Sequence, residues 1–259
     1  MKTHFIYLFL ILYATKVILT ENNSSSIVAG YYLQSWVKPP ATPPAGTNLS
    51  ICFTGLLDVK DVLANCAEIN TELAGKKFLS FGGGTSNGSW SLTSLSSLND
   101  AISAKQFAGW DGICYDIELG DAGLGAAFAA SFANAKSVDL SVLVTISHSQ
   151  PYGITDASTL MTSFISNQNI TFLSPQLYTT GLEATNDFTA VGTTWDAYAL
   201  SQAKILPSVV LGVRDFPLAL TFFSKLNITL GGFVQWTQGT RETQSKLFYF
   251  IYRLIEKIS

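Results

Sequence analysis

The sequence predicts the α/β class, as a single (β/α)8 TIM barrel, and three observations point there. Eight apolar runs rich in β-branched and aromatic residues recur along the 259 residues. They are near-continuous rather than alternating, as strands of a parallel sheet buried on both faces must be. The stretches between them are long enough for a helix, at roughly thirty residues per unit, which is the rhythm of strand, crossover and parallel strand. Such alternation also fits an open sheet, but eight units and a length near the ~250 residues usual for this barrel favour closure.

Taken in order, residues 1–20 carry Lys2, an apolar run over residues 5–14, and then small and polar residues before Glu21. About ten apolar residues behind a charged start are too few to span a membrane, which needs ~20, and read as a secretory signal peptide, with a retained amino-terminal anchor as the lesser alternative. Cleavage near Thr20 leaves 21–259 as one domain. The first strand falls at 27–33 and the second at 49–53; between them Pro39, Pro40, Pro43 and Pro44 replace a helical pattern, predicting a stiff, extended segment over the rim of the site. Further strands are expected at 77–81, 112–117, 140–146, 171–177, 205–212 and 232–236, with an Ala-rich helix over 124–135. Leu247, Ile251, Leu254, Ile255 and Ile258 share one helical face, as a last outer helix packed on the barrel would. No internal repeat and no second domain is visible.

Composition narrows the partners. The net charge is −3, and removing Lys2 and Lys16 with the leader leaves −5. Without a basic cluster, nucleic acid and anionic membrane surfaces are poor partners; a neutral polymer suits this surface, bound by a monomer with no membrane contact after the leader is removed. Of three cysteines, Cys52 and Cys66 could pair in an oxidising compartment, leaving Cys114 as a free thiol. Asn22, Asn23, Asn48, Asn87, Asn169 and Asn227 head N-x-S/T sequons, modest support for secretion; Asn87 lies just beyond a glycine turn. The two histidines are His4, in the leader, and His148, so a serine triad or a multi-histidine zinc site is nearly excluded. His148 is expected to support a loop. No phosphate-cradling loop occurs either, because Gly82-Gly83-Gly84 is followed by Thr85, and no cofactor is implied.

The chemistry concentrates in Asp111-Gly112-Ile113-Cys114-Tyr115-Asp116-Ile117-Glu118. Alternate residues of a strand share a face, so Cys114, Asp116 and Glu118 point the same way. Acids at the end of an apolar strand are costly to bury unless paired or neutral. Adjacent carboxyls push their pKa values apart, leaving one protonated as a general acid. That arrangement suits cleavage of a glycosidic bond.

This segment resembles the D-x-x-D-x-D-x-E signature of glycoside hydrolase family 18, the chitinases, with Cys114 where the second Asp is expected. Ser80-Phe81-Gly82-Gly83 is similar to the family's S-x-G-G motif, Ser174-Pro175-Gln176-Leu177-Tyr178 to its sixth strand, and Gly231-Gly232-Phe233-Val234-Gln235-Trp236 to its last. Residues 145–152 are a weaker match to the fifth strand and loop of the compact plant-type, hevamine-like members, which lack an inserted domain. The resemblance runs from about Val28 to Trp236 and implies the barrel rather than the open sheet.

It also implies a secreted endo-chitinase acting on chitin or other N-acetylglucosamine oligosaccharides without a cofactor. Glu118 would be the acid, Asp116 would orient the substrate's acetamido group, and Tyr178 would bind the acetamido oxygen, which is itself the nucleophile. Trp236 would form the floor, with Tyr31, Gln176, Gly82 and Gly83 lining the same space. Trp36, Trp90 and Trp195 are either further sugar platforms or structural. An endo-β-N-acetylglucosaminidase acting on N-glycans would share these residues. A silent chitin-binding lectin would usually lack the acid.

Overall fold

The computed structural model describes residues 27–237; the expected leader, Asn22, Asn23 and the expected last helix fall outside them. Nine strands form one sheet: β1 (Val28–Gln34), β2 (Leu49–Phe53), β3 (Lys76–Gly82), β4 (Gly112–Ile117), β5 (Ser141–Ser147), β6 (Phe172–Gln176), β7 (Lys204–Ile205), β8 (Ser208–Val209) and β9 (Gly232–Gln235). All pairings are parallel, and the ring closes where β1 pairs with both β2 and β9. β7 and β8 each pair with β6 and occupy one barrel position, so the barrel is eight-stranded. The run expected as one strand at 205–212 is thus split. Pro207 has no N–H to give the ladder, and only its carbonyl is used, by Val234 N–H at 3.0 Å. Gly212 already begins a helix.

Among the described residues five α-helices cover the outside: α1 (Val59–Ala67), α2 (Leu92–Ser103), α3 (Gly125–Ser137), α4 (Ala157–Ile165) and α5 (Gly212–Ser224), with a 3-10 helix at Trp195–Leu200 after β6. Among the described residues none is long and apolar enough to cross a membrane. α2 starts on a capping box in which Ser91 and Ser94 each satisfy the other's backbone N–H.

The proline segment differs from expectation. It begins at the rim near Trp36, but Ala41 packs on the outer core and Asn48 N–H reaches the Ala29 carbonyl at the start of β1 at 2.9 Å. It therefore descends the outside of the barrel, where a helix would otherwise lie.

Strand parity sorts the core into two layers. Tyr31, Leu33, Cys52, Leu79, Ile113, Tyr115 and Val144 face the helices. Tyr32, Ile51, Phe53, Phe78, Cys114, Leu143 and Val234 fill the lumen. Cys52 faces outward and is joined to Cys66 of α1 by a disulfide, with Cα atoms 5.8 Å apart. Asp111 lies at the amino-terminal end of β4, where its carboxylate accepts from Lys77 N–H at 2.8 Å and its carbonyl from Ser141 N–H at 2.9 Å. A Cβ on Gly112 would strike the Phe78 ring. Both residues are architectural and lie at the end of the barrel opposite the acids.

Candidate active site

β4 delivers Cys114 and Asp116 to the lumen, and Glu118 follows one residue past the strand. Asp116 is 1 % exposed. Its backbone carbonyl accepts from the Trp90 indole N–H at 2.8 Å, and the Gly82 turn makes room for that contact. A Cβ at Gly82, whose φ is 94°, would collide with the Asp116 carbonyl and the indole. Gly83 follows at φ 146°; a Cβ there would lie 3.5 Å from Asp116 Oδ2.

Gln176, at the end of β6, ties the acids together. Its Nε2 donates to Asp116 Oδ1 at 3.1 Å and Glu118 Oε1 at 3.4 Å, with Thr145 Oγ1 at 3.5 Å. Asp116 Oδ2 is buried without a hydrogen-bond partner. Burial and then the neighbouring Glu118 hold Asp116 well above the usual carboxylate range. Burial also raises Glu118, against the opposing pull of Gln176, Asp116 and His148. The pair therefore holds on to a proton, and among the described residues no Lys or Arg lines the cavity to remove it.

That cavity, about 410 Å³, is bounded by Trp36, Phe53, Gly84, Thr85, Asp116, Glu118, Tyr152, Gln176, Tyr178, Thr179, Thr180 and Trp236. Trp236 is half-buried, with ring centroids 5.1 Å from Phe53, 5.4 Å from Tyr32 and 6.0 Å from Tyr178. Burial keeps the Tyr178 hydroxyl protonated, aided by Tyr32 and the two acids. The loop after Tyr178 is anchored by Glu183, whose Oε1 accepts from Thr179 N–H at 2.9 Å and Thr180 N–H at 2.6 Å. The rim is open: Trp36 is 55 % and Tyr152 58 % exposed.

Glu118, Asp116, Tyr178, Gln176, Gly83 and Trp236 thus converge. Tyr31 does not; it faces the helices, and Tyr32 is the tyrosine in the lumen, its hydroxyl 3.2 Å from Ser208 Oγ. Trp36 lines the cavity. Trp90 is fully buried behind Asp116, and Trp195 is buried with its indole N–H on the Phe188 carbonyl at 2.7 Å. His148 pairs with Asp187 at 3.0 Å and bridges the loops after β5 and β6. Asn48, Asn87 and Asn227 are exposed and Asn169 is half-buried. Tyr152, Phe53 and Thr145 complete the site without having been singled out as lining residues from sequence; only a position shortly after a strand's carboxyl end marks Tyr152. Among the described residues no three His, Cys, Asp or Glu side chains converge at metal-ligand spacing. A larger groove of about 880 Å³ lies outside the barrel between α1 and α2, remote from every acid discussed above.

No protein-family model matches the sequence, and no curated protein matches it. Solved structures do. A Streptomyces coelicolor protein assigned as chitinase A aligns at a TM-score of 0.50 and 16% identity, over 87% of this chain and 96% of its own. A chitinase from Chromobacterium violaceum aligns at 0.48 and 10% identity, over 87% and 99%. A dihydrodipicolinate synthase from Agrobacterium tumefaciens aligns at 0.45 and 9% identity, over 88% and 75%. At such identities the first likeness establishes the barrel fold, and function has to be argued from the residues.

Proposed function

We propose that the protein is a retaining glycoside hydrolase of the family 18 type, an endo-chitinase that cuts β-1,4-linked N-acetylglucosamine chains. The observation that carries the reading is the pair of buried Asp116 and half-buried Glu118, bridged by Gln176 beside Tyr178 and Trp236. Glu118, protonated, gives its proton to the glycosidic oxygen as the carbonyl oxygen of the substrate's acetamido group attacks the anomeric carbon and the bond to the leaving sugar breaks. Asp116 Oδ2 accepts no N–H from the described residues, which leaves it to accept the acetamido N–H. That hydrogen bond favours ionised Asp116, so docking shifts the shared proton to Glu118. Tyr178 donates to the acetamido oxygen. Glu118, now a carboxylate, activates the water that opens the oxazolinium ion with net retention.

Export belongs to the same reading. The leader supports it, and the disulfide between Cys52 and Cys66 suits an oxidising compartment.

The test is product analysis with chitin oligomers and, separately, with an N-glycosylated protein. Oligomer cleavage that is lost by at least ~10²-fold in Glu118→Gln supports the reading, that being the low end for general acid catalysis. Release of N-glycans alone would assign the endo-β-N-acetylglucosaminidase activity instead. Binding of oligomers without turnover by the parent would make it a lectin.

A further inference from the structure

Glu118 does not hang free from the end of β4. The chain beyond the strand is held on both sides: Trp90 N–H donates to the Leu119 carbonyl and Gly153 N–H to the Glu118 carbonyl, each at 2.9 Å. Parallel bridges join Trp90 to Gly120 and Leu119 to Gly153. Next to Gly153 stands Tyr152, whose backbone N–H donates to Ser147 Oγ at 3.1 Å. From there its side chain reaches to the loop after β3, where the hydroxyl donates to the Gly84 carbonyl at 3.3 Å.

The hydroxyl passes close to the acid. A Cβ placed on Gly84 would lie 3.0 Å from Tyr152 Oη and 3.1 Å from Glu118 Oε2, so the glycine keeps this corner open. Partial burial, with Glu118 and Asp116 nearby, raises the Tyr152 hydroxyl above the ordinary phenol value and keeps it a donor. The residue as a whole is 58 % exposed, although its polar tip is tied down.

The cavity therefore has two unlike sides about Glu118. One holds buried Asp116 and Tyr178 with half-buried Trp236; the other holds exposed Gly84, Thr85 and Tyr152. A bond protonated by Glu118 places one sugar on each side. Asp116 and Tyr178 claim the sugar that bears the reacting acetamido group, so the departing half lies against Tyr152.

We infer that Tyr152 sets leaving-group specificity: its exposed ring packs against the apolar face of the departing sugar, and its tether to Gly84 holds that ring beside Glu118. The inference rests on the hydrolase reading above and names a residue and a preference that reading does not need.

The experiment compares a chitin hexamer with the nitrophenyl glycoside of chitobiose, whose leaving group is no sugar, in the full-length parent, Tyr152→Ala and Tyr152→Trp. Thermal melting of each variant serves as the folding control. The expected result is a fall of about tenfold in the hexamer-to-nitrophenyl ratio of kcat/KM for Tyr152→Ala, the size of one aromatic contact, with the ratio restored by Tyr152→Trp. An equal fall on both substrates would reduce Tyr152 to a support for the Glu118 loop and overturn the inference, as would no fall on either. A parent that cleaves neither substrate would instead bring down the hydrolase reading, and this inference with it.

Discussion

Cys114 sits one inward position below Asp116, fully buried in the lumen. Burial and then the Asp116 charge push its thiol well above the usual cysteine range, against hydrogen bonds from Ser80 and Tyr32. A neutral thiol is a weak partner, so Asp116 has no second carboxyl to share a proton with and stays paired with Glu118. Restoring one by Cys114→Asp should raise turnover and shift the acidic limb of kcat against pH; identical profiles for parent and variant would defeat that argument. Native Cys114 should also resist iodoacetamide until the protein is denatured, which intact-mass measurement reads directly.

The acids also bear on stability. Both are raised in the fold, so they favour it below the unfolded carboxylate range of about pH 4 and lose that contribution as pH rises through their elevated folded values. Asp116→Asn removes the penalty. Its Tm should exceed the parent's at pH 7, at about 2–4 °C per kcal/mol, with the gap closing near pH 4 and catalysis lost throughout. A variant no more stable at pH 7 would mean the buried charge is compensated.

Legibility differed from residue to residue. Asp116 and Glu118 could be placed because polar side chains in an apolar strand declare a face. Tyr31 and Tyr32 could not be told apart, since a strand buried on both sides carries no phase. Tyr152 lies on a loop whose reach to Gly84 is a property of the tertiary structure alone.

At the scale of elements, the covalent link from β2 to α1 matters most. Cys52 precedes Phe53, whose ring meets both Trp236 and Trp36, so the disulfide braces one wall of the cavity. It closes a loop with a sequence separation of 14. In the chain-entropy model a loop of that size stabilises by about 3 kcal/mol. Replacing both cysteines by alanine should lower the unfolding free energy by about that amount, measurable in urea, and weaken oligomer binding through Phe53; unchanged denaturation midpoints would make the link dispensable. The strands were readable from apolar runs, whereas the division between β7 and β8 was not. Pro207 interrupts a ladder without diverting the chain, and a sequence pattern does not distinguish that from a continuous strand. The prolines of residues 38–47 correctly signalled a missing helix, but the path down the outer wall depends on what the segment packs against.

At the scale of the whole molecule, the barrel was legible because a closed parallel sheet imposes one repeating demand on the entire chain. The cavity was legible only through motifs, since side chains from seven strand ends and their loops meet there. Among the described residues its lining has no Lys or Arg, so binding of a neutral oligomer should change little between low and high salt; a steep salt dependence measured by calorimetry would point to a charged ligand.

The open rim described above has a kinetic corollary. On the hydrolase reading proposed above, a polymer lying in a trench with solvent on its outer side, gripped by a handful of aromatic rings, would leave after each cut instead of being threaded along. On a soluble chitin derivative the solution should therefore thin early, while few new reducing ends have appeared. Steady release of dimers from solutions that stay viscous would show that the protein holds its chain and walks.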